Sequence, residues 1–277
     1  MRCNLASMIQ PDMDDRRSFS RRNALLATLS AAPLGCSRAR RTLAAPGDGG
    51  AAAAWGGLDV ARVSGMRDDE RGGAAVIVLH GWGAPGDDLV PLAQELNRPG
   101  VRFFVPAAPL PEVGGGRAWW HFDRGDRPPH ADSDQLPAGF RPTPSLLAAR
   151  AAVQALIAIV VERYAPESVA VVGFSQGAML AIDVALAGTP RVDRVVAMSG
   201  LLLVDSVSAL NAPRPARPRF LLSHGRRDPV VAFSGASRAK ELLEKHGFAV
   251  TWRPFDGGHE IPPSILIEVS RFLFSTT

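Results

Sequence analysis

Three side chains in this sequence are of the kinds that together break an acyl bond: a hydroxyl at Ser175, a carboxylate at Asp228 and an imidazole at His259. A serine hydroxyl at its ordinary pKa is a poor nucleophile and needs a base beside it. His259 would take that proton and later return it to the leaving group. Asp228 would fix the imidazole tautomer and stabilise the imidazolium that forms. Each of the three follows an apolar run and sits among glycines, in Gly173-Phe174-Ser175-Gln176-Gly177, His224-Gly225-Arg226-Arg227-Asp228 and Asp256-Gly257-Gly258-His259.

The first of these stretches is a G-x-S-x-G between the apolar run Ser168–Val172 and the helix-like Ala178–Leu186. A strand that turns at once into a helix through this pattern is a nucleophile elbow. Its glycines keep Cβ atoms out of a strained, crowded turn. That context separates it from a glycine-rich turn that happens to hold a serine. A second loop, His80-Gly81-Trp82-Gly83, follows the apolar run Ala74–Leu79 and has the form that supplies one oxyanion amide. The amides of Trp82 and Gln176 are therefore the candidate oxyanion donors.

The same loop matches G-x-G-x-x-G from Gly81 to Gly86. A dinucleotide site wants a helix on the last glycine and an acid after the next strand. Pro85, Asp87 and Asp88 interrupt the first requirement, and Val101–Val105 runs into Pro106 where the acid should stand. No cofactor is expected. Among the other histidines, His80 and His224 precede glycine at predicted strand ends and read as loop-stabilising residues. His246 closes a helix, where a cation suits the dipole. His121 and His130 fall in a long loop. Asp256 rivals Asp228 as the acid, but it shares one turn with His259, and an acid on a different strand orients the ring more rigidly.

Scattered along the chain, these residues need a scaffold that brings strand ends together. Leu58–Val63 alternates like a half-buried first strand, and Asp88–Asn97 fits a short helix capped by Asp87 or Asp88. Pro106–Pro144 reads as a long loop holding Trp119 and Trp120, which are expected either to line the substrate or to pack a cap on the sheet. Leu146–Tyr164 is a helix stopped by Pro166. Strands are expected at Arg194–Met198, Phe220–Ser223 and Phe248–Pro254, and helices at Ser237–Lys245 and Ser264–Phe274. Strands alternating with helices predict an α/β fold: one doubly wound, mostly parallel sheet with helices on both faces. In such sheets sites lie beyond the carboxyl ends of the strands, where all the candidates fall.

The chain of 277 residues is 46% hydrophobic, enough for one full core. Its formal charge of +4 includes the arginines at 2, 16, 17, 21 and 22, and no basic run of nucleic-acid type follows them, so no nucleic-acid partner is expected. Two cysteines, Cys3 and Cys36, leave the body without a disulfide framework or thiolate metal site, and H-E-x-x-H is absent, so no metal is expected. Residues 1–45 read as an export leader: Arg21-Arg22 before the apolar Ala24–Leu34 resembles a twin-arginine signal. Leu34-Gly35-Cys36 resembles the end of a lipobox, with Pro33 where leucine is usual, which would lipidate Cys36 and attach the chain to the cell envelope. Cleavage near Ala44-Ala45, to a periplasmic product, is the second option. A tail on a cytoplasmic protein that starts at Met8 or Met13 is the third. Residues 46–57 read as a linker and 58–277 as the catalytic domain.

Leu79-His80-Gly81, the elbow, His224-Gly225 with Asp228, and Gly258-His259-Glu260 together resemble the phospholipase/carboxylesterase family, which includes acyl-protein thioesterases. The likeness runs from about Ala74 to the C-terminus, and Arg117-Ala118-Trp119-Trp120 is similar to that family's segment before the elbow. The order Ser, Asp, His is that of α/β-hydrolases. The resemblance implies a cofactor-free serine hydrolase of small carboxylic esters or thioesters, lysophospholipids among them, monomeric or homodimeric. A peptidase using the same triad and a catalytically silent binding protein of the same fold are the alternatives.

Overall fold

The structure, a computed structural model, describes residues 55–121, 143–188, 190–213 and 217–275. The expected leader with Cys36, most of the expected linker, His130 and the stretch 122–142 lie outside these residues.

Among the described residues nine strands and five helices follow in order: β1 (Asp59–Ser64), β2 (Ala74–Leu79), α1 (Val90–Leu96), β3 (Val101–Ala107), β4 (Leu110–Pro111), β5 (Arg117–Ala118), α2 (Pro144–Tyr164), β6 (Ser168–Phe174), α3 (Gln176–Leu186), β7 (Arg194–Met198), β8 (Arg219–Gly225), α4 (Phe233–Lys245), β9 (Val250–Phe255) and α5 (Pro263–Phe274). A 3-10 turn, Val204–Ala209, follows β7. Seven strands form one sheet in the order β1-β3-β2-β6-β7-β8-β9. All pairings are parallel except β1 with β3. Parallel neighbours need crossovers, and helical crossovers cover both faces, so β2 and β6 to β8 are apolar on both sides rather than alternating. One core cluster joins the sheet to α2, α3 and α4, and the other joins it to α1 and α5. This is the predicted α/β fold, with the carboxyl ends of the six parallel strands on one edge and that of β1 on the other.

The differences from expectation are local. β3 runs through Pro106 to Ala107: past Phe104 it has no β2 partner, and Pro106 faces Val60 on the antiparallel β1. Helix α1 begins at Val90, two residues late, without the expected aspartate cap; Pro91 sits in its first turn, where a missing N–H costs nothing. Trp55 is 7% exposed, with its ring 5.5 Å from Phe104, so the packed body includes residues assigned to the linker. The expected loop after β3 contains the β4–β5 hairpin, which braces the loop after β2: Gly83 N donates to Arg117 O at 2.9 Å and Arg117 N to Ala84 O at 2.8 Å.

A buried polar knot, unforeseen from sequence, ties α2 and the 3-10 turn to α3. Arg150 donates twice to Asp183, at 2.6 and 2.7 Å, and Ser206 Oγ donates to the same carboxylate at 2.7 Å. The next residue back, Asp205, accepts the amide of Thr143 at 3.2 Å. Asp183 is 1% exposed, and a buried carboxylate without such partners would be strongly destabilising.

Candidate active site

Ser175 stands between β6 and α3 with φ 54° and ψ −118°, a conformation that costs a non-glycine residue about 1–3 kcal/mol. The glycines on either side are required by space. A methyl group built on Gly173 would overlap the carbonyl oxygen of Gly177, and one on Gly177 would overlap that of Leu79 and come within 2.6 Å of that of His80. The turn is therefore wedged against the end of β2. Ser175 N donates to Met198 O at 2.9 Å, and the amides of Ala178 and Met179 return to Ser175 O. As the first helical residue of α3, Gln176 has an amide with no acceptor inside the helix.

The loop after β2 lies directly against the serine: a methyl group on Gly81 would stand 3.3 Å from Ser175 Cβ. His80, fully buried, holds this loop. Its Nδ1–H donates to Gly81 O at 2.7 Å and its Nε2 accepts Ala108 N at 2.9 Å, which settles the tautomer. Burial lowers its pKa, so the ring stays neutral. Gly81 C=O and Trp82 N–H belong to one trans peptide, so fixing the carbonyl turns the Trp82 N–H the opposite way.

The side chain of Gln176 also has a job that its place in the elbow does not announce. It is 1% exposed; Oε1 accepts Trp119 N and Nε2 donates to Trp120 O, both at 2.8 Å. Trp119 Nε1 in turn donates to His80 O at 3.0 Å. The expected substrate wall of Trp119 and Trp120 is corrected here. Both rings are fully buried in the core beneath this edge, Trp119 tied by its amide and indole N–H and Trp120 by its carbonyl. Trp82, by contrast, is 46% exposed.

On the far side of the serine, the loops after β8 and β9 interlock. Arg226 N donates to Phe255 O and Arg227 N to Gly257 O, each at 2.9 Å. This brings Asp228 and His259 together: His259 Nδ1–H donates to Asp228 Oδ2 at 2.7 Å. The other oxygen, Oδ1, accepts the amides of Val230 and Val231 at 2.8 and 2.9 Å. Burial pushes the Asp228 carboxyl upward, but hydrogen bonds from His224, His259 and the two amides outweigh it and hold the group below the usual carboxylate range. With Nδ1 occupied, the lone pair of the neutral His259 ring is on Nε2. The ring packs against Phe174, the neighbour of Ser175, with centroids 4.8 Å apart.

The rival groups stand elsewhere. Asp256 is 76% exposed and faces Arg226 at 3.4 Å. His246 Nδ1 pairs with Asn211 Oδ1 at 2.8 Å, and His121 Nδ1–H donates to Glu112 Oε1 at 2.5 Å. The glycines from Gly81 to Gly86 form an irregular loop that ends before α1, which leaves no helix N-terminus at Gly86 to receive a pyrophosphate.

The pattern that defines the Phospholipase/Carboxylesterase family is matched by residues 61–277. The chain is 32% identical over 114 residues to acyl-protein thioesterase 1 of Gibberella zeae, an alignment covering 39% of this chain and 48%, about half, of that protein. It is 28% identical over 208 residues to a probable carboxylesterase of Oryza sativa subsp. japonica, covering 72% of this chain and 76% of that one. It superposes on the crystal structure of esterase PE8 with a TM-score of 0.63 and 27% identity, over 78% of this chain and 97% of that chain. From its elbow, its sheet and these likenesses, the chain belongs to the phospholipase/carboxylesterase family and is a carboxylesterase-type serine hydrolase.

Proposed function

We propose that this chain cleaves carboxylic esters or thioesters, lysophospholipids among them, through an acyl-enzyme on Ser175. The observation that carries the reading is the 2.7 Å bond from His259 to a buried, ionised Asp228, with the His259 ring packed on Phe174, the residue before a strained serine. His259 Nε2 removes the proton of Ser175 Oγ as the oxygen attacks the carbonyl carbon. The carbonyl oxygen becomes an oxyanion, held by the amides of Trp82 and Gln176. The intermediate collapses, the bond to the leaving oxygen or sulfur breaks, and the imidazolium returns its proton to that atom. Water, deprotonated by the same nitrogen, then attacks the acyl-serine and releases the acid. Asp228 steadies the imidazolium in both halves without itself taking a proton. The ester and thioester classes are supported by the names of the relatives, a thioesterase and a probable carboxylesterase. Export, with lipid attachment at Cys36, rests on residues 20–36 alone.

The test is labelling of the purified protein by a fluorophosphonate, with turnover of p-nitrophenyl butyrate. Label on Ser175, lost together with turnover in folded Ser175→Ala and His259→Ala, is the expected result. Full turnover in either variant overturns the assignment, and absence of both label and turnover in the unaltered protein favours a silent binding protein.

A further inference from the structure

Asp228 is served by two imidazoles. Besides His259, the ring of His224 near the end of β8 places Nε2 3.3 Å from Asp228 Oδ2, while the same nitrogen lies 2.8 Å from Val231 O. Both side chains are 0% exposed. Each neighbour of Nε2 is an acceptor, so Nε2 carries the hydrogen, aimed at Val231 O with the carboxylate as the longer branch of a three-centre bond. His224 Nδ1 is buried with no hydrogen-bond partner, so a second proton there would have no acceptor. The ring is thus a donor through Nε2, edge-on to Phe233 of α4 with centroids 6.0 Å apart. Asp228 then receives N–H groups from His259, Val230, Val231 and His224, about one for each lone-pair site of a carboxylate.

We propose that His224 is a positioning residue of the relay: by completing the donor shell of Asp228 it fixes the carboxylate against His259 and loosens its hold on the His259 proton. Negative charge shared among more donors attracts an imidazolium less. The other charged groups around this pair are engaged elsewhere. Arg226 and Arg227 of the same loop turn to the Asp256 carboxylate and carbonyl, and Glu260 of the β9–α5 loop accepts the Gly258 amide at 3.2 Å. From α4 the ring meets Phe233, which is uncharged. The inference rests on the assignment of Asp228 and His259 under the proposed function.

The experiment compares kcat/KM for p-nitrophenyl butyrate from pH 5 to 9 in the unaltered protein, His224→Leu, which removes the donor, and His224→Gln, which keeps an N–H. Urea unfolding of each is measured in parallel. The expected result is an acid-limb midpoint raised by about half to one pH unit in His224→Leu, with kcat reduced about tenfold and KM little changed, and a limb near the original in His224→Gln. A folded His224→Leu with an unshifted limb overturns the proposal, as do equal shifts in both variants. Should His224→Leu not fold, a 15N titration of the unaltered protein decides: His224 is expected to stay neutral with hydrogen on Nε2, and titration of that ring or an Nδ1–H tautomer overturns it. Asp228→Asn is run alongside. Full activity there would sink the relay itself, whereas an inactive Asp228→Asn beside an unshifted His224→Leu would sink only the role of His224.

Discussion

Gly225 lies so close to Gly258 that a methyl group on the first would overlap the carbonyl oxygen of the second. The two loops that carry Asp228 and His259 meet at this contact, and there is no room in it for a side chain on Gly225. Gly225→Ala is therefore expected to part the loops and stretch the 2.7 Å bond between the two side chains. A misplacement of about 1 Å in such a site costs on the order of a hundredfold in rate, so kcat/KM should fall by about that factor while the protein remains folded by circular dichroism.

Ser175 holds a backbone that suits glycine, so its two simplest replacements should differ in stability although both are inactive. Ser175→Gly relieves the φ of 54° and Ser175→Ala does not. We expect Ser175→Gly to melt above Ser175→Ala by a few degrees, corresponding to about 1–2 kcal/mol, as read by thermal unfolding.

Asp228 should be ionised over the whole neutral and mildly acidic range, because its partners lower its folded-state pKa. A lowered carboxyl contributes stability that is complete above its unfolded value, near 3.9, and fades as pH falls toward the folded value. The Asp228 carboxylate's own contribution to the stability difference between the unaltered protein and Asp228→Asn should accordingly shrink below about pH 4. Urea unfolding at a series of pH values reads this directly.

Gln176→Ala removes the bridge to Trp119 N and Trp120 O and leaves both backbone groups unpaired inside the core. A buried orphan costs about 1–3 kcal/mol, so the variant should lose about 2–5 kcal/mol in urea unfolding. Its own backbone amide survives the change, so the activity that remains at low temperature should exceed that of Ser175→Ala.

The export proposed for this chain makes a prediction independent of the fold. With Arg21 and Arg22 replaced by lysine, a chain expressed in a bacterial host should stay in the cytoplasm, whereas the unaltered chain should be exported and shortened; fractionation and mass spectrometry distinguish them.

The nucleophile elbow is legible in the sequence because its glycines answer to contacts made within a few residues and to the strand end beside them. The strands of the sheet's centre are legible for a related reason: burial on both faces demands unbroken apolar runs such as Ala74–Leu79. What escapes the sequence depends on partners far along the chain. The Gln176 side chain finds its acceptor and donor 56 and 57 residues away, and no local pattern marks that choice. Trp119 and Trp120 resemble a pocket wall because aromatics in a long loop need burial of some kind, and only the fold shows that the core supplies it. His224 reads as a loop residue until the turn at Gly225–Asp228 brings the carboxylate back onto its ring.

The polar knot of Arg150, Asp183 and Ser206 couples α2, α3 and the 3-10 turn. Thr143, just before α2, is held by Asp205 next to that knot, and Ser206 of the knot bonds Asp183 of α3. Loss of the knot would therefore be felt at the entry to α2 as well as in α3, the helix that follows the nucleophile.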